Sequence, residues 1–218
     1  MDLSNLADAL PVERRLALAY SPARARTETL ALLALDQRLA GLVHAAREPV
    51  LGQIKLAWWR EQLRKAPAAR AQGEPLLALI GSWGECGGEL VALVDGWEQA
   101  LDGTDRTASV IAALAQGRRQ AAAALATLLG HQGSAAEAGR AAQGWAVAEF
   151  AADSVPSERA ADWSQLIDAQ DWRPLRLPRD LRALVVLYGL ARRTRGTGAL
   201  LSGPLAGLAA IRLGLFGI

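Results

Sequence analysis

Carboxylates repeated at helical spacing are the residues in this sequence with the clearest chemical potential. Glu149 and Asp153 stand four apart, and Asp95, Glu98 and Asp102 follow at intervals of three and four, so each set shares one helix face. Oxygen ligands presented by facing helices are what a Mg²⁺ site requires. The same spacing makes a solvated face or a row of partners for arginines, and this second reading is the preferred one. Cys86 with His44 or His131 has the residue types of a thiolate pair, yet one cysteine among glycines reads as inert. The two histidines lack His-x-x-x-His or Glu-x-x-His spacing, so they make a poor zinc site. The sequence has no Gly-x-Ser-x-Gly elbow, no Walker loop and no Gly-x-Gly-x-x-Gly following a strand. Serine hydrolysis and nucleotide-phosphate cradling are therefore unsupported.

The elements that would position these residues are helices. Period-two alternation and hairpin turns are almost absent. From Thr27, apolar residues at Leu32, Leu35, Leu39, Leu42 and Ala46 form one buried stripe. Pro49 suits the first turn of a helix running to about Lys65, and "APAARAQGEP" then reads as a loop. Pro75 opens a segment broken by Gly81, Gly84, Gly87 and Gly88, and Glu89 to Leu101 follows as a helix. Thr104 or Asp105 is expected to cap an Ala-rich helix ending near Gly130. Ser134 with Glu137 has the spacing of a capping box for a helix to about Ser154, before Pro156. Further helices are expected after Pro178 and from Pro204 to Phe216. The expected fold is an all-α bundle of about eight helices, one domain over residues 1–218.

Seven tryptophans, Trp58, Trp59, Trp83, Trp97, Trp145, Trp163 and Trp172, supply most of the aromatic content. They suit either a helix-bundle core or the lining of an apolar cavity. The chain carries 24 Lys and Arg against 22 Asp and Glu, a net charge of +2, with no dense cationic block. Nucleic acid is thus not an expected partner. The single cysteine, Cys86, allows no internal disulfide and fits a reducing compartment, so a cytoplasmic location is expected. No secretory signal opens the sequence. The segment "GPLAGLAAIRLGLFGI", with Arg212 as its one cation, reads as a packed final helix or as a peripheral membrane contact.

The order "YSPARAR" then "EPVLGQIKLAWWREQL" resembles the amino-terminal half of the squalene/phytoene synthase family. Tyr20-Ser21-Pro22 with Arg24 and Arg26 is similar to the segment before that family's first cavity helix. Pro49 through Trp58-Trp59-Arg60-Glu61 resembles the helix after it. "AGRAAQGWAVAEFAAD" is similar to the family's Gly-x-Ala-x-Gln helix, with Gly139, Ala141 and Gln143 in place. The resemblance is weaker over Ala138 to Asp153 than over Tyr20 to Leu63. It implies the isoprenoid-synthase type of helical bundle.

Active members of that family join two prenyl diphosphates and hold Mg²⁺ with two aspartate-rich motifs on facing helices. The metal neutralises the departing diphosphate. On this chain the first motif falls on Ala40-Gly41-Leu42-Val43-His44, which has no carboxylate. A shifted register would recruit Asp36 with His44 and still supply one hard ligand. The second motif would begin at Phe150, flanked by Glu149 and Asp153. The resemblance is closer to the family's complex I assembly factor branch, which also lacks the aspartates and shares a Trp-Trp-Arg run, here within Lys55 to Arg60. It implies a non-catalytic protein with no cofactor that binds an apolar ligand, isoprenoid or lipid, or a partner protein. Asp36, Ala40, His44, Trp58, Trp97, Gln143 and Trp145 are the cavity candidates, and a ligand site would show as an apolar tunnel lined by tryptophans. The alternative is a Mg²⁺-dependent prenyl transferase with rearranged ligands, drawn from Asp95, Glu98, Glu149 and Asp153.

Overall fold

The structure, a computed structural model, describes residues 3–101, 107–152, 160–195, 197–203 and 205–217. Asp153, Asp102, Thr104, Asp105, Ser154, Pro156 and Pro204 lie outside the described residues. Among those described there is no strand, and eleven α-helices with four 3-10 segments make up an all-α fold. The helices are α1 (Leu3–Asp8), α2 (Val12–Ala19), α3 (Ala23–Ala45), α4 (Pro49–Arg64), α5 (Pro75–Ile80) and α6 (Val91–Glu98). They continue with α7 (Ala108–Leu128), α8 (Ala135–Ala152), α9 (Ala160–Ala169), α10 (Arg182–Thr194) and α11 (Ala206–Phe216). The expected elements correspond to α3 to α8, α10 and α11, and the sequence reading did not include α1, α2 and α9.

Local chemistry sets the boundaries. Pro22, in an extended conformation, turns the chain into α3 at Ala23, one turn before the expected Thr27. Pro49 occupies the first turn of α4, where a missing N–H costs nothing. The Glu74 side chain accepts the Leu76 N–H to cap α5. For α7 the capping oxygen is Thr107 Oγ1, which accepts from the Val110 N–H at 3.4 Å. That helix ends at Gly130, whose φ of 81° lets the His131 N–H reach back to the Ala126 carbonyl at 2.8 Å. The capping box expected at Ser134 and Glu137 is put to other use. The Glu137 carboxylate accepts from the Arg176 N–H at 2.7 Å and from Arg140 at 3.1 Å, so it anchors a distant loop.

The core is continuous across the helices, with Leu, Ala and Trp side chains filling it. Helices α7 and α8 pack along one another, α6 lies across α7, and α10 packs between α8, α11 and α2. Small residues permit the close approaches. A methyl group on Gly117 would stand 2.5 Å from the Ala92 carbonyl oxygen, and one on Gly139 would stand 3.0 Å from that of Arg119. The segment Pro75–Glu98 is long and apolar enough to cross a membrane by length and composition. It is bent at Gly84, with φ of 52°, and packs against α3, α4 and α7, as an internal wall does.

Candidate functional site

Helices α3, α7 and α8, with α2 across one end, meet around four charged side chains. Asp36 on α3 is fully buried at 0% exposure and Arg118 on α7 is at 1%. Each occupies the core register of its helix: Asp36 one residue after Leu35 and three before Leu39, Arg118 four after Leu114 and three before Ala121. Asp36 Oδ2 lies 2.8 Å from Arg118 Nη2 and 2.9 Å from Arg14 Nη1 of α2. Its Oδ1 accepts from Trp97 Nε1 at 2.8 Å. Glu149 on α8 completes the ring, with Oε2 at 2.5 Å from Arg118 and 3.3 Å from Arg14. Two guanidiniums thus stand against two carboxylates, and the assembly is neutral.

Aromatic rings close the space around it. The Arg118 guanidinium lies 3.9 Å from the centre of the Trp145 ring and 4.6 Å from that of Phe150, and Arg14 lies 5.0 Å from Trp145. Ring faces attract cations most where water is excluded. Burial pushes the Asp36 and Glu149 carboxyls up, but Arg118 and Arg14 outweigh it and hold both below the usual carboxylate range. For Arg14, burial is again opposed by Glu149 and Asp36, and the guanidinium is held above its ordinary value. Asp36, Glu149 and Arg14 therefore stay charged at neutral pH.

Of the sequence candidates, Asp36, Trp97, Trp145 and Glu149 are brought together here. Ala40 is buried one turn further along α3. His44 is exposed, with its ring edge-on to Trp97 at 6.0 Å. Gln143 is half-buried and accepts from Arg119 Nη1 at 3.0 Å, clear of the network. Trp58 sits on the surface of α4 at 37% exposure, edge-on to Trp59 at 5.2 Å. Trp97 and Trp145, at 2% and 1% exposure, are packed core, so the three tryptophans do not line one tunnel. Asp95 and Glu98 are held by Arg60, whose Nη2 is 2.7 Å from each.

A Mg²⁺ set does not fit these residues. Asp36 and Glu149 already have guanidiniums on their oxygens, and among the described residues no three His, Cys, Asp or Glu side chains form a group able to hold a metal ion. Sequence reasoning missed Arg14 and Arg118, the two residues that decide this. Their signal was an arginine in line with apolar neighbours, Ala17 and Leu18 for Arg14, and Leu114, Ala121 and Leu125 for Arg118.

A second polar cluster lies at the C-terminal end of α7. Asp180 accepts from Arg24 Nε at 2.7 Å and Nη2 at 2.9 Å, and its Oδ2 is 2.8 Å from His131 Nε2. Hydrogen bonds from Arg24 outweigh partial burial, which pushes the Asp180 carboxyl up, and with His131 they hold it below its ordinary range. A cleft of about 340 Å³ opens beside it, lined by Glu28, Ser82, Leu128 and Leu129 as well as Arg24 and Asp180. A smaller apolar cleft of about 240 Å³ lies between α1, α3 and α5, with Leu6, Leu10, Leu42 and Leu76 in its wall.

Set against known protein families, characterised proteins and solved structures, the chain gives no match. The likeness to squalene/phytoene synthases therefore rests on the sequence segments that carry it.

Proposed function

We propose that this chain is a squalene/phytoene synthase-like protein without the synthase reaction, and that it works by binding a partner protein through α4. One observation carries the non-catalytic part: the two carboxylates that approach from facing helices are neutralised by Arg14 and Arg118 of the same chain. A synthase of that family needs uncommitted carboxylates there, to hold the metal ions that offset the charge of a departing diphosphate.

The choice of a protein over an apolar small molecule rests on size and surface. Of the two clefts described, the one of about 340 Å³ is walled mostly by polar and charged side chains, and the apolar one, about 240 Å³, falls short of the roughly 300–1,000 Å³ of ligand pockets. On α4, Val50, Leu51 and Ile54 are more than half exposed and lie in line with Trp58. Val50, Ile54 and Trp58 recur every fourth residue, so they make one apolar stripe. Exposed charges of both signs border it, Arg47, Glu48, Lys55 and Glu61. An aromatic anchor within a mixed polar rim is the anatomy of a protein interface, and a straight stripe fits the apolar face of another helix.

Titration calorimetry with a prenyl diphosphate, with and without millimolar Mg²⁺, tests the first part. No metal-dependent heat is expected. Metal-dependent binding that disappears in Glu149→Gln would establish the transferase instead. For the second part, Ile54→Glu with Trp58→Glu is expected to keep the melting temperature and to release the partner from a complex isolated with the wild-type chain. A partner retained by that variant refutes the α4 interface.

A further inference from the structure

Helix α11 is apolar on both sides, and only one side is covered. Its inner residues Ala206, Ala210 and Gly214 are buried, the last against the Tyr20 ring, while Leu213 packs on Gly189 of α10. On the outer side Leu205, Leu208, Leu215 and Phe216 are each more than half exposed, and Ile211 is 45% exposed. A helix apolar all round normally has both faces buried. At about 1.5 Å per residue α11 is roughly 16 Å long, about half of a bilayer core, so it is too short to span one.

The chain segment that carries this face has charges of one sign. From Arg182 to Ile218 the sequence holds Arg182, Arg192, Arg193, Arg195 and Arg212 and no Asp or Glu. With a net charge of +2 for the whole chain, the remainder is net negative. Three of these arginines also sit on or close to α11. The Arg182 guanidinium lies against Gly217 at one end, Arg193 donates to the Ser202 carbonyl near the other, and Arg212 emerges from the outer face itself. Asp180, the nearest acid in sequence, is taken up by Arg24 and His131.

We infer that α11 is the docking helix of a peripheral membrane contact, seated on an anionic phospholipid surface. Leucine and phenylalanine enter the acyl boundary while the flanking arginines meet lipid phosphates, as interfacial helices do. The mixed rim of α4 does not share this charge pattern. A second copy of the chain is a poor occupant, because a two-fold contact would set arginine against arginine.

Flotation of the full chain with vesicles tests this, using phosphatidylcholine alone and phosphatidylcholine mixed with phosphatidylglycerol. Binding is expected on the mixed vesicles and is expected to fall at high salt. Leu208→Glu with Leu215→Glu should weaken it at least about tenfold. Arg192→Gln with Arg212→Gln should weaken it roughly thirtyfold on the anionic vesicles. All four positions are exposed, and circular dichroism melts matching the wild type will show that the fold is intact. No binding, equal binding to both vesicle types, or binding unchanged by the leucine pair would overturn the inference. So would a dimer in solution that ignores vesicles and dissociates on Leu208→Glu with Leu215→Glu.

Discussion

Asp36 exchanges hydration for three partners, Arg14, Arg118 and the Trp97 N–H, and the balance of that exchange sets its behaviour. A buried ion pair is a modest source of stability when complete, because desolvation consumes most of the Coulomb gain. Removing one member is costly, since the opposite charge is left without water or partner. Asp36→Ala is therefore expected to lose about 3–5 kcal/mol, which for a chain of this size lowers the melting temperature by roughly 10 °C. The acid limb has a definite sign. Asp36 and Glu149 titrate below the usual range when folded, so the unfolded chain binds more protons in acid. Their contribution is complete above the unfolded values of about 4 and fades as pH falls through the folded ones. Denaturant titrations from neutral pH downward should show this loss, and Asp36→Asn should be less stable at pH 7 but flatter in acid. A variant with the wild-type acid slope would remove Asp36 from the account. The sequence marked Asp36, Trp97 and Trp145 as cavity residues and Glu149 as an alternative metal ligand. It hid their chemistry, because an arginine at position 14 or 118 reads as surface until tertiary packing puts it inside.

Helices α6 and α7 cross with almost no side chain between them, at Gly96 and Gly117. A methyl group on Gly117 meets the Ala92 carbonyl oxygen at 2.5 Å, and one on Gly96 meets that of Ala113 at 3.0 Å. Two opposing effects act on Gly117→Ala. Helix propensity favours alanine by about 1 kcal/mol, whereas forcing two backbones apart costs about 1–3 kcal/mol, and a contact with rigid backbone puts the cost at the upper end. A net loss is expected. Gly41→Ala on α3 is the matched control, since nothing lies within 4 Å of its added methyl, and it should gain about 0.5–1 kcal/mol. Paired urea melts read both signs, and a stabilised Gly117→Ala would show that the crossing can open. The long helices were legible because their apolar period persists over several turns. With six and eight residues, α1 and α2 give the period too little length to register, and Pro11 interrupts them. Glycine positions marked breaks in the sequence, but not which of them, such as Gly117, were contact points inside a helix.

The whole molecule is closed by contacts between distant parts of the chain. Helix α2 packs on α10 and α11 and sends Arg14 to Glu149 across 135 positions, and Arg24 reaches Asp180 across 156. Neither the central network nor the cover of α10 is complete until the first two dozen residues have docked. Long-range pairings of this kind couple the stability of one end to that of the other, so the bundle should unfold in a single calorimetric transition. At about 0.7 kcal/mol per residue near 60 °C the enthalpy should approach roughly 150 kcal/mol, and the van't Hoff value should agree with it. A chain shortened to begin at Ser21 loses α1, α2 and Arg14 together. It uncovers apolar surface on α10 and α11 and leaves Glu149 with Arg118 alone. That shortened chain should keep most of its far-ultraviolet helical signal, lose near-ultraviolet tryptophan dichroism and bind a hydrophobic dye, the behaviour of a helical state without fixed packing. A sharp transition with intact tryptophan dichroism in the shortened chain would show instead that α3 to α11 fold on their own and that α2 merely rests against them.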